Sequence, residues 1–200
     1  MKAKYLFLAV PVAAALAACT PKEEAAPQVS RSIITLRGAY EGPVTRTEVK
    51  DAGKQVFWSA EDEISVISLT GQACKFTSTN SEPALSAEFT GAAPDGFAGG
   101  YGVIYPYRED NRILPGSYVS GYSDYDYCVS AYIPPVQTAA EGTFAKGTFP
   151  SVGVSASNEF KMYSIASGIC FTVQGSNVTS VEIYGVEEEP ICGPVSAGVS

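Results

Sequence analysis

Short apolar runs with a period of two residues constrain this chain more than any other feature. Leu85, Ala87 and Phe89 alternate with Ser86, Glu88 and Thr90, and Cys74 and Phe76 alternate with Lys75 and Thr77. Tyr101, Val103, Tyr105 and Tyr107 form a third such series, and Ile169, Phe171 and Val173 a fourth. Side chains of an extended strand point alternately to its two faces, so this spacing is that of half-buried antiparallel strands. Gly, Pro, Ser, Asn and Asp separate the runs.

Taken in order, strands are expected over 32–40 (Ile33, Ile34 and Leu36 its apolar residues) and 44–49. The stretch 55–69 carries Val56, Trp58, Ile64, Val66, Ile67 and Leu69 and is broken by a turn at Ser59–Asp62. Strands at 73–77, 85–90 and 101–107 follow. Residues 91–102 form a loop whose glycines lack the Gly-Lys-Ser/Thr of a phosphate site. The Tyr-rich stretch 108–132 reads as a long connection with weak strand character, and Ile133–Gln137 is extended because residues before proline avoid the helical region. The one candidate helix, 138–146, contains Gly142 and is a poor one. After a strand at 160–166, a hairpin is expected with arms at 169–173 and 179–183 and its turn at Gly175-Ser176-Asn177. A last strand begins at Ile191. No internal repeat stands out. The sum is an all-β, antiparallel sandwich.

The N-terminus has a different character. Met1–Lys4 is basic, 5–15 is apolar except for Pro11, and Leu16-Ala17-Ala18-Cys19 places a cysteine directly after small residues. The run is too short to span a bilayer and lies where a secretory signal belongs. The expectation is a bacterial lipoprotein signal peptide over 1–18, with Cys19 as the lipid-bearing first residue of the mature chain. Each buried methylene contributes about 0.8 kcal/mol, so two or three acyl chains hold a protein on a membrane almost permanently. Residues 19–30 are polar and Pro-bearing, a flexible tether. Within it, Lys22-Glu23-Glu24 is either a surface-export signal or an ordinary charged spacer.

Composition narrows the function. Removing residues 1–18 takes away Lys2 and Lys4 and no acid, leaving 11 basic and 21 acidic residues and a net charge of -10. That balance disfavours nucleic acid and anionic headgroups; membrane contact is expected through Cys19 alone. The chain has 0 histidines, which excludes Ser-His-Asp and Cys-His catalysis and His-containing zinc sites. No catalytic residue, metal or cofactor is expected. Cys74, Cys128, Cys170 and Cys192 contain no C-x-x-C pair. They are either disulfide partners or buried thiols, and a chain of this size does not need staples.

Several stretches, in this order, resemble the fimbrillin-like surface lipoproteins of Bacteroidetes. They are the lipobox at Cys19, Thr45-Arg46-Thr47, Val56-Phe57-Trp58 followed by Asp62-Glu63-Ile64-Ser65-Val66, Tyr101–Tyr107 with its Tyr-Pro-Tyr ending, and Pro135-Val136-Gln137. Phe171-Thr172-Val173 to Gly185, then Gly193, resemble a later hairpin and glycine-bearing strand of that family. The resemblance covers about 33–200. It implies transthyretin-like β-sandwich domains, a place on the outer membrane at the cell surface, and a structural or adhesive role in fimbriae. It also implies other fimbrial subunits as partners, joined by donor-strand exchange, and a host or bacterial surface receptor. In stalk subunits of the family an arginine-directed protease removes the lipidated segment with its strand. The matching residue here is Arg46, with Arg37 and Arg31 as weaker choices. Anchor subunits keep the lipid and are not cut.

The expected organisation is one β-sandwich domain over 31–158. Residues 159–200 are the opening strands of a second β domain, or the last strands of the same sandwich. The chain stops at 195–200 inside a strand-like pattern, as a truncated member or one with a reduced second domain would.

A second reading comes from 8 tyrosines between Tyr101 and Tyr132. Tyr118, Tyr122, Tyr125 and Tyr127 are candidates for a platform on which sugar rings stack, which would suit a glycan-binding lipoprotein of a polysaccharide-uptake system. A structural lipoprotein without a polymer is the third reading. Trp58 reads as core, and Asp124, Asp126 and Glu187–Glu189 as solvated acids without calcium-loop spacing.

Overall fold

A computed structural model describes residues 31–40, 48–50, 55–68, 71–97, 100–138, 144–169 and 171–200, with backbone only at 48–50 and 55–56. Those from Arg31 onward belong to one compact unit, Arg31–Ser200. The signal, the tether, Cys19, Arg46 and Cys170 lie outside the described residues.

The fold is all-β, as the alternation requires. The strands are β1 Ile33–Tyr40, β2 Glu48–Lys50, β3 Gln55–Phe57, β4 Glu63–Ser68, β5 Cys74–Ser78 and β6 Ser86–Ala92. They continue with β7 Tyr101–Tyr105, β8 Arg112–Pro115, β9 Tyr127–Ile133, β10 Ser151–Ser155, β11 Glu159–Ser164 and β12 Gly193–Val199. Seven of them close a barrel in the order β1-β11-β10-β7-β4-β5-β6, and β12-β9-β8 form a separate three-stranded sheet. β2 and β3 pair with each other as a small ribbon.

Two cores follow from the two faces of the barrel wall. The inner core gathers Leu36, Trp58, Ile64, Val66, Phe76, Phe89, Tyr101, Val103, Tyr105, Phe160 and Met162. Trp58 sits at its centre, stacked on Tyr40 at 4.7 Å and edge-on to Phe89 and Tyr105 at 4.8 and 5.6 Å. The outer core lies under the three-stranded sheet, where Ile67, Ile104 and Val152 of the barrel meet Ile113, Val129 and Ala131. The wall strands β4 and β7 are therefore buried on both faces. This is why Val66 and Ile67 stand side by side as apolar residues and break the clean alternation.

A buried polar knot ties the outer face of β4 to the turn after β7. The Asn111 amide donates to Ser65 Oγ and to the Pro106 carbonyl, both at 2.9 Å. Ser65 Oγ in turn accepts from Arg108 N–H at 3.2 Å. At the start of β4, the fully buried Asp62 accepts from Ser59 N–H at 2.7 Å. Lys146 reaches toward the same carboxylate at 3.7 Å.

Three expectations need correction. First, the larger sheet is not an open layer: β1 pairs on both sides and closes it into a seven-stranded barrel. Second, the stretch 108–132 supplies real strands, β8 and most of β9. Tyr, Ser and Asp dominate the turn between them and mask the alternation. Third, the expected hairpin is not seen: among the described residues 165–169 and 171–192 none is in a strand. An isolated two-stranded hairpin is marginal in water, and a closed barrel offers it no edge.

β10 has no counterpart among the expected strands; at the start of 159–200, expected to open a second β domain or to end the same sandwich, β11 pairs with β10 and β1. The candidate helix lies mostly outside the described residues; its end at 144–146 is loop and turn. Leu85 lies outside β6 and is exposed.

Candidate functional site: the first strand and its slot

The position of β1 is the feature with functional consequences. Ile33–Ala39 runs antiparallel to Ser86–Ala92 of β6, and Arg37–Tyr40 runs parallel to Glu159–Met162 of β11. The first strand of the described fold is thus a stave of the barrel with a neighbour on each side. Its inward residues are Ile34, Leu36, Gly38 and Tyr40, with Leu36 fully buried. Gly38 is favoured for a steric reason: a Cβ there would fall onto the Phe160 ring, which would have to shift. Outward, Thr35 Oγ lies 3.3 Å from Thr90 Oγ, and Arg37 sits in register between Glu88 and Glu159. A groove of about 640 Å³ runs outside this seam, bounded by Arg37, Val154, Glu159, Lys161, Tyr163 and Val199.

Without β1, β6 and β11 would each present a row of unpaired N–H and C=O groups. Between those edges would lie the apolar slot that Ile34, Leu36 and Tyr40 now fill. Such a slot accepts an extended segment by main-chain pairing, and pockets for alternate side chains decide which segment fits.

The arginines differ in what a cut after each would release. Arg37 lies mid-strand, its N–H donating to the Asn158 carbonyl at 2.8 Å, so a protease cannot seat it without first breaking the ladder. Arg31 precedes the strand and pairs with Asp95 at 2.9 Å, and a cut there leaves β1 in place. The sequence between β1 and β2, residues 41–47, contains one arginine, Arg46. Gly38 and Phe160, which set what the slot admits, were not singled out from the sequence. Only the positions of their neighbours in the barrel give them this role.

The four candidate tyrosines do not share one surface. Tyr122 and Tyr125 are neighbours, their rings 6.2 Å apart and inclined by 48°. Tyr122 donates to the Ser196 carbonyl at 3.2 Å, and the Tyr125 ring lies over Gly198. Tyr127 packs against the outer core, and Tyr118 projects alone at 80% exposure.

Cys74, Cys128 and Cys192 are free thiols, and burial pushes the Cys128 thiol up, against a hydrogen bond with Ser196. Burial also pushes the Tyr105 hydroxyl well up, reinforced by the Asp62 charge, while the hydroxyl accepts from Gly147 N–H at 3.1 Å. Tyr101 is raised by burial as well. Among the described residues no group of three acidic, cysteine or histidine side chains could hold a metal ion, and no helix is long and apolar enough to cross a membrane.

No family model, curated protein or solved structure matches the chain.

Proposed function

We propose that this chain is a lipid-anchored, surface-exposed fimbrillin-like protein, a structural or adhesive subunit of fimbriae that joins its neighbours by strand complementation. The observation that carries the reading is the place of β1. It is a complete barrel stave, and the sequence link that follows it contains Arg46. A cut there would leave β1 held without a covalent tie. The high effective concentration that a short linker gives would be lost, and a segment of another subunit could compete for the slot.

The anchor at Cys19 and the outer-membrane address belong to the same proposal and rest on the lipobox. A transthyretin-like relationship is proposed with them. It is supported by the way β8, β9 and β12 cover the wall β4-β7-β10 as a second sheet. The partners are other subunits of the same kind, with a surface receptor at the tip, and no catalytic step is part of the mechanism.

The test is an immunoblot of native protein from sheared surface material and from outer membrane, in SDS with and without boiling. Strand-exchanged polymers are expected as a ladder that survives SDS and collapses on boiling. A single full-length band confined to the membrane fraction would reject the stalk role.

A further inference from the structure

A stretch of this chain repeats the side-chain pattern of β1 without having a sheet to join. β1 reads Ile34-Thr35-Leu36-Arg37-Gly38; further on stands Phe171-Thr172-Val173-Gln174-Gly175. The second and fifth residues are identical, and the first and third are large and apolar in both. In β1 those apolar residues face the barrel interior. In the second stretch they face solvent: Ile169, Phe171 and Val173 are 66%, 49% and 44% exposed. The same apolar-x-apolar-x-Gly spacing occurs at Ala87–Gly91, where it forms part of β6, so it is the spacing of a barrel strand. It is a segment with strand chemistry and exposed apolar residues that no strand of the closed barrel pairs with.

We infer that Phe171–Gly175 is the strand that one copy of this chain donates to the slot vacated by β1 in another copy. The inference rests on the strand-complementation reading and names its donor. Three features of the 34–38 part of the slot favour this segment; in the same register Asn177 falls at the place of Tyr40 and does not fill it. Val173 takes the place of Leu36 in the inner core. Thr172 takes the place of Thr35 and restores the hydroxyl pair with Thr90. Gly175 takes the place of Gly38, where any Cβ would meet the Phe160 ring. The neighbouring stretch Val181-Glu182-Ile183-Tyr184-Gly185 has the same spacing but sets Glu182 opposite Thr90, which loses that pair. Gln174, in the place of Arg37, gives up the positive charge between Glu88 and Glu159 but adds no negative one.

The test uses two single variants of the full chain, Glu88→Cys and Gln174→Cys. Both positions are exposed, so neither change touches a core. The two proteins are mixed, cut with an arginine-directed protease, oxidised and run in SDS, and disulfide-linked peptides are identified by mass spectrometry. Because β1 pairs Arg37 with Glu88, the exchange puts the new cysteines directly opposite each other on two molecules, close enough to bridge. The expected result is a ladder containing the 88–174 link, absent when the protease is left out. A ladder without that link overturns the inference and leaves strand complementation standing; no ladder at all overturns both. As a second variant, Val173→Asp should abolish the ladder while Val181→Asp leaves it intact. Equal loss from both would assign the donor role elsewhere.

Discussion

β1 and the tract 169–187 have nearly the same chemistry and opposite fates. Leu36 is fully buried in a closed barrel, while Val173, its counterpart by pattern, is 44% exposed in a stretch with no strand pairing. The difference cannot come from intrinsic strand propensity, since Phe-Thr-Val is at least as good a strand former as Ile-Thr-Leu. It comes from closure. Once β1 occupies the gap between β6 and β11, no edge of the barrel remains for a second strand of the same kind. Alternation tells which segments can be strands; topology decides which of the competitors is used.

The comparison is broken most forcefully by putting a charge at the matched positions. Leu36→Asp should destabilise the barrel by more than about 4 kcal/mol, because it buries a carboxylate that has no partner in the inner core. Val173→Asp should shift stability by less than about 0.5 kcal/mol, the scale of surface changes. Urea unfolding of both variants checks this, and equal costs would mean that the tract is buried after all.

The glycines give a second pair. Gly38→Val forces a side chain against Phe160 and should cost about 1–3 kcal/mol through overpacking. Gly175→Ala meets nothing within 4 Å, and its cost, arising from its φ of +115°, should stay local and leave the barrel midpoint in place. Thermal unfolding followed by near-UV circular dichroism separates the two.

The polar knot outside β4 should respond in between. Asn111→Ala removes the side-chain donor of the Pro106 carbonyl and leaves Ser65 Oγ with Arg108 N–H alone, at a cost of about 1–3 kcal/mol.

Alkaline pH acts on the barrel interior. The folded state holds the Tyr105 and Tyr101 hydroxyls protonated above their ordinary pKa, whereas the unfolded chain ionises them normally. Their stabilising contribution is therefore complete below about pH 10 and declines as pH rises further, by at most about 1.4 kcal/mol per pH unit for each group. Tyr105→Phe should flatten part of that decline between pH 10 and 11, although it loses the acceptor for Gly147 N–H and starts from a lower stability.

The smallest effect is expected at Tyr118, whose replacement by alanine should leave stability within about 0.5 kcal/mol. Loss of polysaccharide binding in a Tyr118, Tyr122 and Tyr125 triple variant would instead favour the glycan reading.

Much of the architecture is legible in the residues. Ser32–Tyr40, the turn at 59–62, Cys74–Thr77 and Tyr101–Tyr107 announce their strands through period-two patterning, and Trp58 announces the core. The slot is not legible, because the partners of β1 lie far away in sequence: Thr90 is 55 residues on, and nothing local in Phe160 says that its ring will press on Gly38. The hairpin at 169–183 misleads for the same reason, since its pattern is that of a strand and the place such a strand would take in the barrel is held by β1. β8 and β10 are short and glycine-, proline- or serine-bearing, and they become strands through the sheet that receives them.

The most direct measurement is the N-terminal residue of the chains inside SDS-resistant surface polymers, read by mass spectrometry of the excised ladder. If β1 is an exchangeable stave, those chains should begin at Thr47, and chains beginning at Cys19 should remain unpolymerised. Polymers built from chains that still begin at Cys19, with β1 in place, would contradict it.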